Sequence, residues 1–396
     1  MYVTRPLSLY RKSPEALSLP PPEGPSSGYL VLHDEESQNF CCFGICKDRQ
    51  LYELPFPQNM DLTIQYTESS GDSSTTYLDP VMLIPVLGQP LSSNRYYAIQ
   101  RRGKRKGQAH ATSTDEDKGT CLCFRYVRDR KPAPLDPTNI NQQFEIYARE
   151  NACGFGGFSA KSVLPDGYPP VFLRRKGWRI SAKTPRTYEL EDAEGVDLSL
   201  RKRLPNFDFP ADRKHSDVVV VGKWYCPFMF IKDGDVSEQI KSSRYYKMTL
   251  EQQWAQVLKV ENEGENRREV VVDVGVQGEE VTVGQQGGRG VGLARPGYVA
   301  DGVVWFEGEG GGSVGLSEGI VERMRWEEGR VGYEGSKEGV MRLRKEEEFT
   351  GDGEGWVRFG MYVLVERFVL VRMNGSFVMS YEFRHLHHSR SKWDSI

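Results

Sequence analysis

The stretch Val218–Met248, VVVVGKWYCPFMFIKDGDVSEQIKSSRYYKM, limits the fold more than any other, because a recognisable version of it stands earlier in the chain. Val218–Val221 and Phe228–Ile231 are short β-branched and aromatic runs bounded by Gly, Pro and Asp, which read as core strands. Lys241–Met248 then alternates, with Arg244, Tyr246 and Met248 on one face and Tyr245 and Lys247 on the other. The earlier copy runs from Pro80–Val86 through a polar loop to Ser92–Ile99, with the same Arg-Tyr-Tyr strand. Leu54–Pro57 precedes the first copy as Leu204–Pro210 precedes the second, and a fainter echo begins at Tyr298–Phe306. Self-similarity of this kind points to duplicated supersecondary units. Period-two alternation then predicts Tyr97, Ile99, Tyr246 and Met248 facing the interior, with Tyr96 and Tyr245 on the opposite faces.

The 396 residues suffice for two or three domains. Short apolar runs separated by turn residues predict a mainly β fold: tandem related antiparallel β-sandwich-like modules over residues 1–134 and 135–262. A C-terminal β-rich region, 263–396, would contain one or two helices and end in a hairpin. Tyr2–Leu7 suits an edge strand, and Ser13–Leu17 a very short helix. Thr249–Val260 carries Leu250, Trp254, Val257 and Leu258 at helical spacing, with a long strand as the rival reading. Glu269–Val276 and Glu280–Val283 suit a hairpin pair, and Leu316–Glu328 a helix. Asn374-Gly375 between Arg367–Met373 and Ser376–Phe383 predicts a type I′ hairpin.

Apolar residues make up 38% and charged residues 27%, with a formal net charge of -3, so no global bias toward nucleic acid or membrane exists. The stretch MYVTRPLSLYRKSPEALSLPPP lacks an uninterrupted apolar core and is not expected to act as a secretory signal, and no run approaches the roughly 18 apolar residues of a spanning helix. Seven cysteines at irregular spacing suit reduced thiols, which predicts a cytoplasmic or nuclear protein. The most basic run, Arg101–Gly107, reads as a solvated hairpin loop, with nuclear import or anion binding as the functional alternative.

No catalytic, cofactor-binding or metal-ligating residue is expected. Cys41, Cys42, Cys46, Cys121 and Cys123 lack the paired CxxC rhythm of a zinc site. His385, His387 and His388 read as a solvated polar tail rather than ligands, with His385 and His387 on one strand face. Gly311–Gly315 matches GxSxG, yet a flexible glycine run separates Ser313 from any strand, so a hydrolase using Ser313 with His385 as base is the weaker alternative. The glycine text Gly284–Gly290 lacks a P-loop Lys-Ser, and Asp233–Ser237 lacks the sixth-place glycine and terminal glutamate of a calcium loop. Nineteen tyrosines, eighteen phenylalanines and seven tryptophans suit strand packing, and in a groove would suit a carbohydrate or small ligand.

The stretches MYVTRPLSLYRKSPEALSLPPPEGPSSGYLV, CCFGICKDRQLYELPFPQN, PVLGQPLSSNRYY, VGKWYCPFMFIK and ERFVLVRMNGSFVMSYEFRHLHHSRSKW resemble a plant-specific family of unknown function, whose members are often labelled putative insecticidal crystal toxin. The resemblance covers nearly the whole chain and implies no catalytic residue. The reading that follows is a non-enzymatic binding or scaffold protein with a protein, small-molecule or carbohydrate partner. A lectin-like or small-ligand receptor is the first alternative.

Overall fold

Alternating Val, Ile, Tyr and Phe runs recur along the chain, and in the computed structural model they form strands joined by few, short helices. The fold is mainly β. All residues are described except 42–45, 122–123, 153, 263–267, 285–290, 310, 334–338, 352–354 and 396. Two compact units are assembled from separated segments. The first takes Met1–Ala193, Tyr225–Tyr246 and Leu316–Arg323, and the second takes Glu194–Trp224, Lys247–Gly315 and Met324–Ile396.

The first unit holds a seven-stranded sheet in the order Gly154–Ser162, Gln143–Asn151, Arg95–Gln100, Ser73–Pro85, Asp61–Ser70, Arg179–Lys183, Gln50–Leu51. Every neighbouring pair in it is antiparallel. Its core gathers Phe56, Leu83, Phe144, Phe158 and Trp178, the indole satisfied by the Leu173 carbonyl at 3.1 Å. Tyr2–Pro6 is not an edge strand: it runs parallel to Gly28–Leu32 on one side and meets Tyr225 antiparallel on the other. The short helix near Ser13 is a 3₁₀ turn, Pro14–Ser18.

Arg95 opens strand Arg95–Gln100 after the turn Leu91–Ser93, whereas Arg244 lies between helix Val236–Ser242 and strand Tyr245–Glu261. The two arginines therefore occupy unlike elements, and Lys241–Ser242 is helix rather than strand. Each is tied to the preceding apolar run by the same backbone bond, Val86 N to Arg95 O at 3.0 Å and Phe228 N to Arg244 O at 2.9 Å. One-faced burial does not hold. Tyr96, Tyr97, Tyr245 and Tyr246 are all at most 1% exposed, because both faces of these strands are covered. Each phenol still finds a partner: Tyr96 accepts from Phe56 N, and the other three donate to Pro137 O, Gln58 O and Asp233 Oδ2. Arg244 pairs with Asp61, which also holds Arg101 at 2.7 Å.

In the second unit the strand order is Val303–Gly308, Val291–Ala300, Glu279–Gly284, Phe377–Ser395, Trp356–Arg372, Tyr245–Glu261. The stretch expected as a helix over Thr249–Val260 is part of this last strand. Met248, Leu250, Gln252 and Trp254 are all buried, a period of two that the helical spacing of Leu250 and Trp254 also mimics. Glu269–Gln277 pairs not with its sequence neighbour but with Val340–Glu348, since one residue between Gln277 and Glu279 cannot close a hairpin. The helix predicted at Leu316 begins two residues later, Glu318–Gly329, and Leu316 belongs to strand Ser313–Ser317.

The terminal hairpin forms around Asn374-Gly375, but its loop is not type I′. Gly375 alone has positive φ, 81°, and Gly375 N bonds to Arg372 O while Arg372 N bonds to Ser376 O. That is a three-residue loop with a glycine bulge. The Asn374 carboxamide accepts from Ser376 N at 3.0 Å and Oγ at 2.7 Å instead of adopting the left-handed conformation. Among the described residues, no helix is long and apolar enough to cross a membrane.

Candidate functional site

The second unit buries a charged network that its sequence does not announce. The short helix Leu198–Arg203 starts at Asp197, whose Oδ1 accepts from Ser199 N and Leu200 N at 2.9 Å. This cap fixes Arg201, 3% exposed, against two carboxylates. Arg201 Nε and Nη2 clasp Glu366 at 2.8 and 2.6 Å, while Nη1 and Nη2 donate to Glu327 Oε2 and to the Glu327 carbonyl, both at 3.1 Å. A guanidinium paired in this fork is geometrically specific.

Glu366 also accepts from Gln252 Nε2 at 2.8 Å and faces His385 Nε2 at 3.2 Å. Burial opposes its ionisation, but hydrogen bonds from Arg201 and His385 outweigh this and hold the carboxyl at about 2. Glu366 is therefore an anion, and the His385 Nε2 proton points to it. In the neutral ring Nδ1 is left as an acceptor.

These side chains border a cavity of about 430 Å³, lined further by Leu198, Leu204, Leu364 and His388. His385 Nδ1 and Gln252 Oε1 are buried and have no hydrogen-bond partner among the described residues. Leu204 sits at φ 61°, sparsely populated for a branched residue, and is held there by packing beside Phe209, Trp254 and Tyr362. Strain of this kind clusters at binding sites.

His385 is not part of a solvated tail. It is 2% exposed within a strand that continues to Ser395. Opposite it, Leu364 pairs with His385 while Val363 pairs with Ser389, so Leu386, His387 and His388 form a bulge. Bulges re-aim side chains. This one leaves His387 and His388 exposed, with ring centroids 4.3 Å apart, and burial with neighbouring imidazoles lowers the pKa of both. Among the described residues no group of His, Cys, Asp or Glu is arranged to hold a metal. Cys42, Cys123 and the glycine text 285–290 lie outside the described residues.

Ser313 is exposed and is the first residue of a strand, with the helix starting five residues on at Glu318. A nucleophile elbow requires the serine at the strand-to-helix turn itself. No hydrogen bond joins Ser313 to His385 among the described residues. A fluorophosphonate probe is expected to leave the protein unlabelled, and stoichiometric labelling lost in Ser313→Ala would reverse this reading. Asp233 and Asp235 are also accounted for: Asp233 accepts from Tyr246 Oη, and Asp235 caps Val236–Ser242 through Ser237 N at 2.7 Å.

Comparison with known proteins adds little chemistry to this geometry. Residues 23–124 match a family described as a protein of unknown function (DUF1262). No curated protein matches the chain. Among solved structures, the crystal structure of Cry35Ab1 is similar at 12% identity and a TM-score of 0.43, over 85% of this chain and 90% of that one.

Of the residues singled out in the sequence, only His385 belongs to the buried network. Arg201, Gln252, Glu327 and Glu366 were not singled out. A signal for Glu366 was available: Glu366-Arg367 interrupts the apolar strand text MYVLVERFVLV, and a carboxylate there must be paired.

Proposed function

We propose that this chain is a non-catalytic binding protein whose cavity beside Arg201 receives a small polar ligand rich in hydrogen-bond donors. The observation that carries this reading is that two residues lining one cavity, His385 and Gln252, each keep a buried polar atom, Nδ1 and Oε1, without a partner among the described residues. An unmade buried hydrogen bond costs about 1–3 kcal/mol, which a ligand hydroxyl, amide or ammonium would recover. The volume, about 430 Å³, falls in the range of small-molecule sites.

The same geometry argues against chemistry at this site. Arg201 is committed to Glu366 and Glu327 and has no fork left for an anionic transition state. Glu366, held at about 2, is a weak base at neutral pH. The described lining contains no hydroxyl or thiol. A reducing cytoplasmic or nuclear setting agrees with the buried thiol of Cys226.

A thermal-shift screen of neutral saccharides, polyols and amines against the full chain tests the proposal. A ligand at 100 times its dissociation constant is expected to add about 2.7 kcal/mol. Leu198 lies at the cavity rim and is 40% exposed, so Leu198→Trp should fold normally and abolish the shift. Absence of any hit, or an equal shift in Leu198→Trp, would discard the site.

A further inference from the structure

The basic run Arg101–Gly107 is not a freely solvated loop. Gly107 N donates to Gln100 O at 2.7 Å, Gln100 N to Gln108 O at 2.9 Å, and Arg105 Nη1 to Pro132 O at 2.9 Å. Lys106 Nζ reaches the Ser237 carbonyl at 3.1 Å, which ties the loop to helix Val236–Ser242. Gly107 has φ 86°, and a Cβ there would lie 2.4 Å from Val236 Cγ1 and 3.3 Å from Phe228. Only glycine permits this approach.

Beneath the pinned loop lies a cavity of about 350 Å³ in the first unit, lined by Lys104, Lys106, Lys232, Asp235, Phe228 and Gln239 among others. Lys232 is half-buried and makes no hydrogen bond or ion pair among the described residues. Burial lowers its pKa with no opposing carboxylate contributing. Asp235, the only acidic residue in the described lining, accepts from Ser237 N as the helix cap. Gln239 is 3% exposed, spends its amide N–H groups on Ile231 O and Tyr246 Oη, and leaves Oε1 without a partner among the described residues.

We propose that this cavity is a binding site for a small soluble phosphomonoester with a hydroxylated carbon skeleton, of the sugar-phosphate class. Three lysines against one aspartate leave an excess of two positive charges, which matches a phosphomonoester at about -1.5 to -2. The phosphate lies among the lysines, the Phe228 and Met229 side chains face the carbon skeleton, and a ligand hydroxyl meets the Gln239 Oε1 acceptor. The site is distinct from the cavity beside Arg201 and stands or falls separately from it.

Calorimetric titration of the full chain with glycerol 3-phosphate, inorganic phosphate and glycerol tests the assignment. Glycerol 3-phosphate should bind, inorganic phosphate more weakly, and glycerol not at all. Lys232→Gln should weaken glycerol 3-phosphate by about tenfold or more, the loss of one charge-assisted bond. Should Lys232→Gln fail to fold by circular dichroism, the exposed Lys104→Gln carries the test with a smaller loss in the same direction. Three results would overturn the proposal: no binding of glycerol 3-phosphate at millimolar concentration, affinity unchanged in both lysine variants, or binding to phosphatidic acid vesicles without binding of the free ester.

Discussion

Arg201→Ala is expected to destabilise the second unit by about 3–5 kcal/mol, the usual cost of removing one member of a buried ionic set. The loss arises less from the attraction forgone than from what remains. Glu366 and Glu327 are 1% and 0% exposed; Glu366 would be left as a buried carboxylate without its guanidinium, and Glu327 would keep Arg330 at 3.5 Å. The Glu327 carbonyl would also lose the Arg201 Nη2 donor. Glu366→Gln should cost less, because an amide still accepts from Arg201 and carries no charge. The acid limb gives a second readout. The Glu366 pKa falls from 4.5 to about 2 on folding, so between those values the native state binds fewer protons and stability drops as pH falls. That contribution, about 3 kcal/mol, should disappear from the pH profile of Glu366→Gln. Guanidinium unfolding followed by tryptophan fluorescence measures both. A loss under about 1 kcal/mol for Arg201→Ala would show the network to be dispensable.

The class of the fold was legible because strand signals are local. Runs such as Val81–Val86 and Arg367–Met373 declare themselves through β-branched residues, and the Asn374-Gly375 pair marks a turn whatever its exact type. What failed was whatever depends on burial from a second side. Tyr96 and Tyr245 alternate as half-exposed residues should, yet both are covered, because alternation reports one buried face and is silent about a layer laid on the other. Thr249–Val260 failed for a related reason: with buried residues on both faces, apolar positions no longer distinguish a period of 2 from one of 3.6.

The network around Arg201 was illegible for a different reason. Its partners stand 165, 126 and 114 positions apart along the chain, and nothing local links a short helix to strands that distant. Two anomalies were readable in hindsight. One is the charged pair inside MYVLVERFVLV, and the other is Glu327-Glu328 in the last turn of a helix, where the macrodipole favours cations. Local conflict with a stated rule is where built sites tend to lie.

Glu328 is the second of those conflicts, and Glu328→Gln is expected to stabilise the protein by about 3 kcal/mol at pH 7 while changing little at pH 4.5. Glu328 is 6% exposed, its Oε1 has no hydrogen-bond partner among the described residues, and burial followed by the nearby charge of Glu279 pushes its pKa from 4.5 up to about 8. Between those two values the folded state holds a proton that the unfolded state has released. Stability therefore falls as pH rises through that window, the opposite sign to Glu366. Glutamine keeps the shape and a neutral polar group but cannot ionise, so the variant lacks the penalty. Arg325 and Tyr381 favour the charged form and are already reflected in the upward shift. The difference between wild-type and Glu328→Gln unfolding free energies reports this carboxyl together with its coupling to Glu279, Tyr333 and Tyr381. That difference should be near zero at pH 4.5, grow steadily, and level off above pH 8. A difference that stays flat from pH 4.5 to 8 would mean that Glu328 ionises in the folded protein as readily as in water, and that its burial carries no cost.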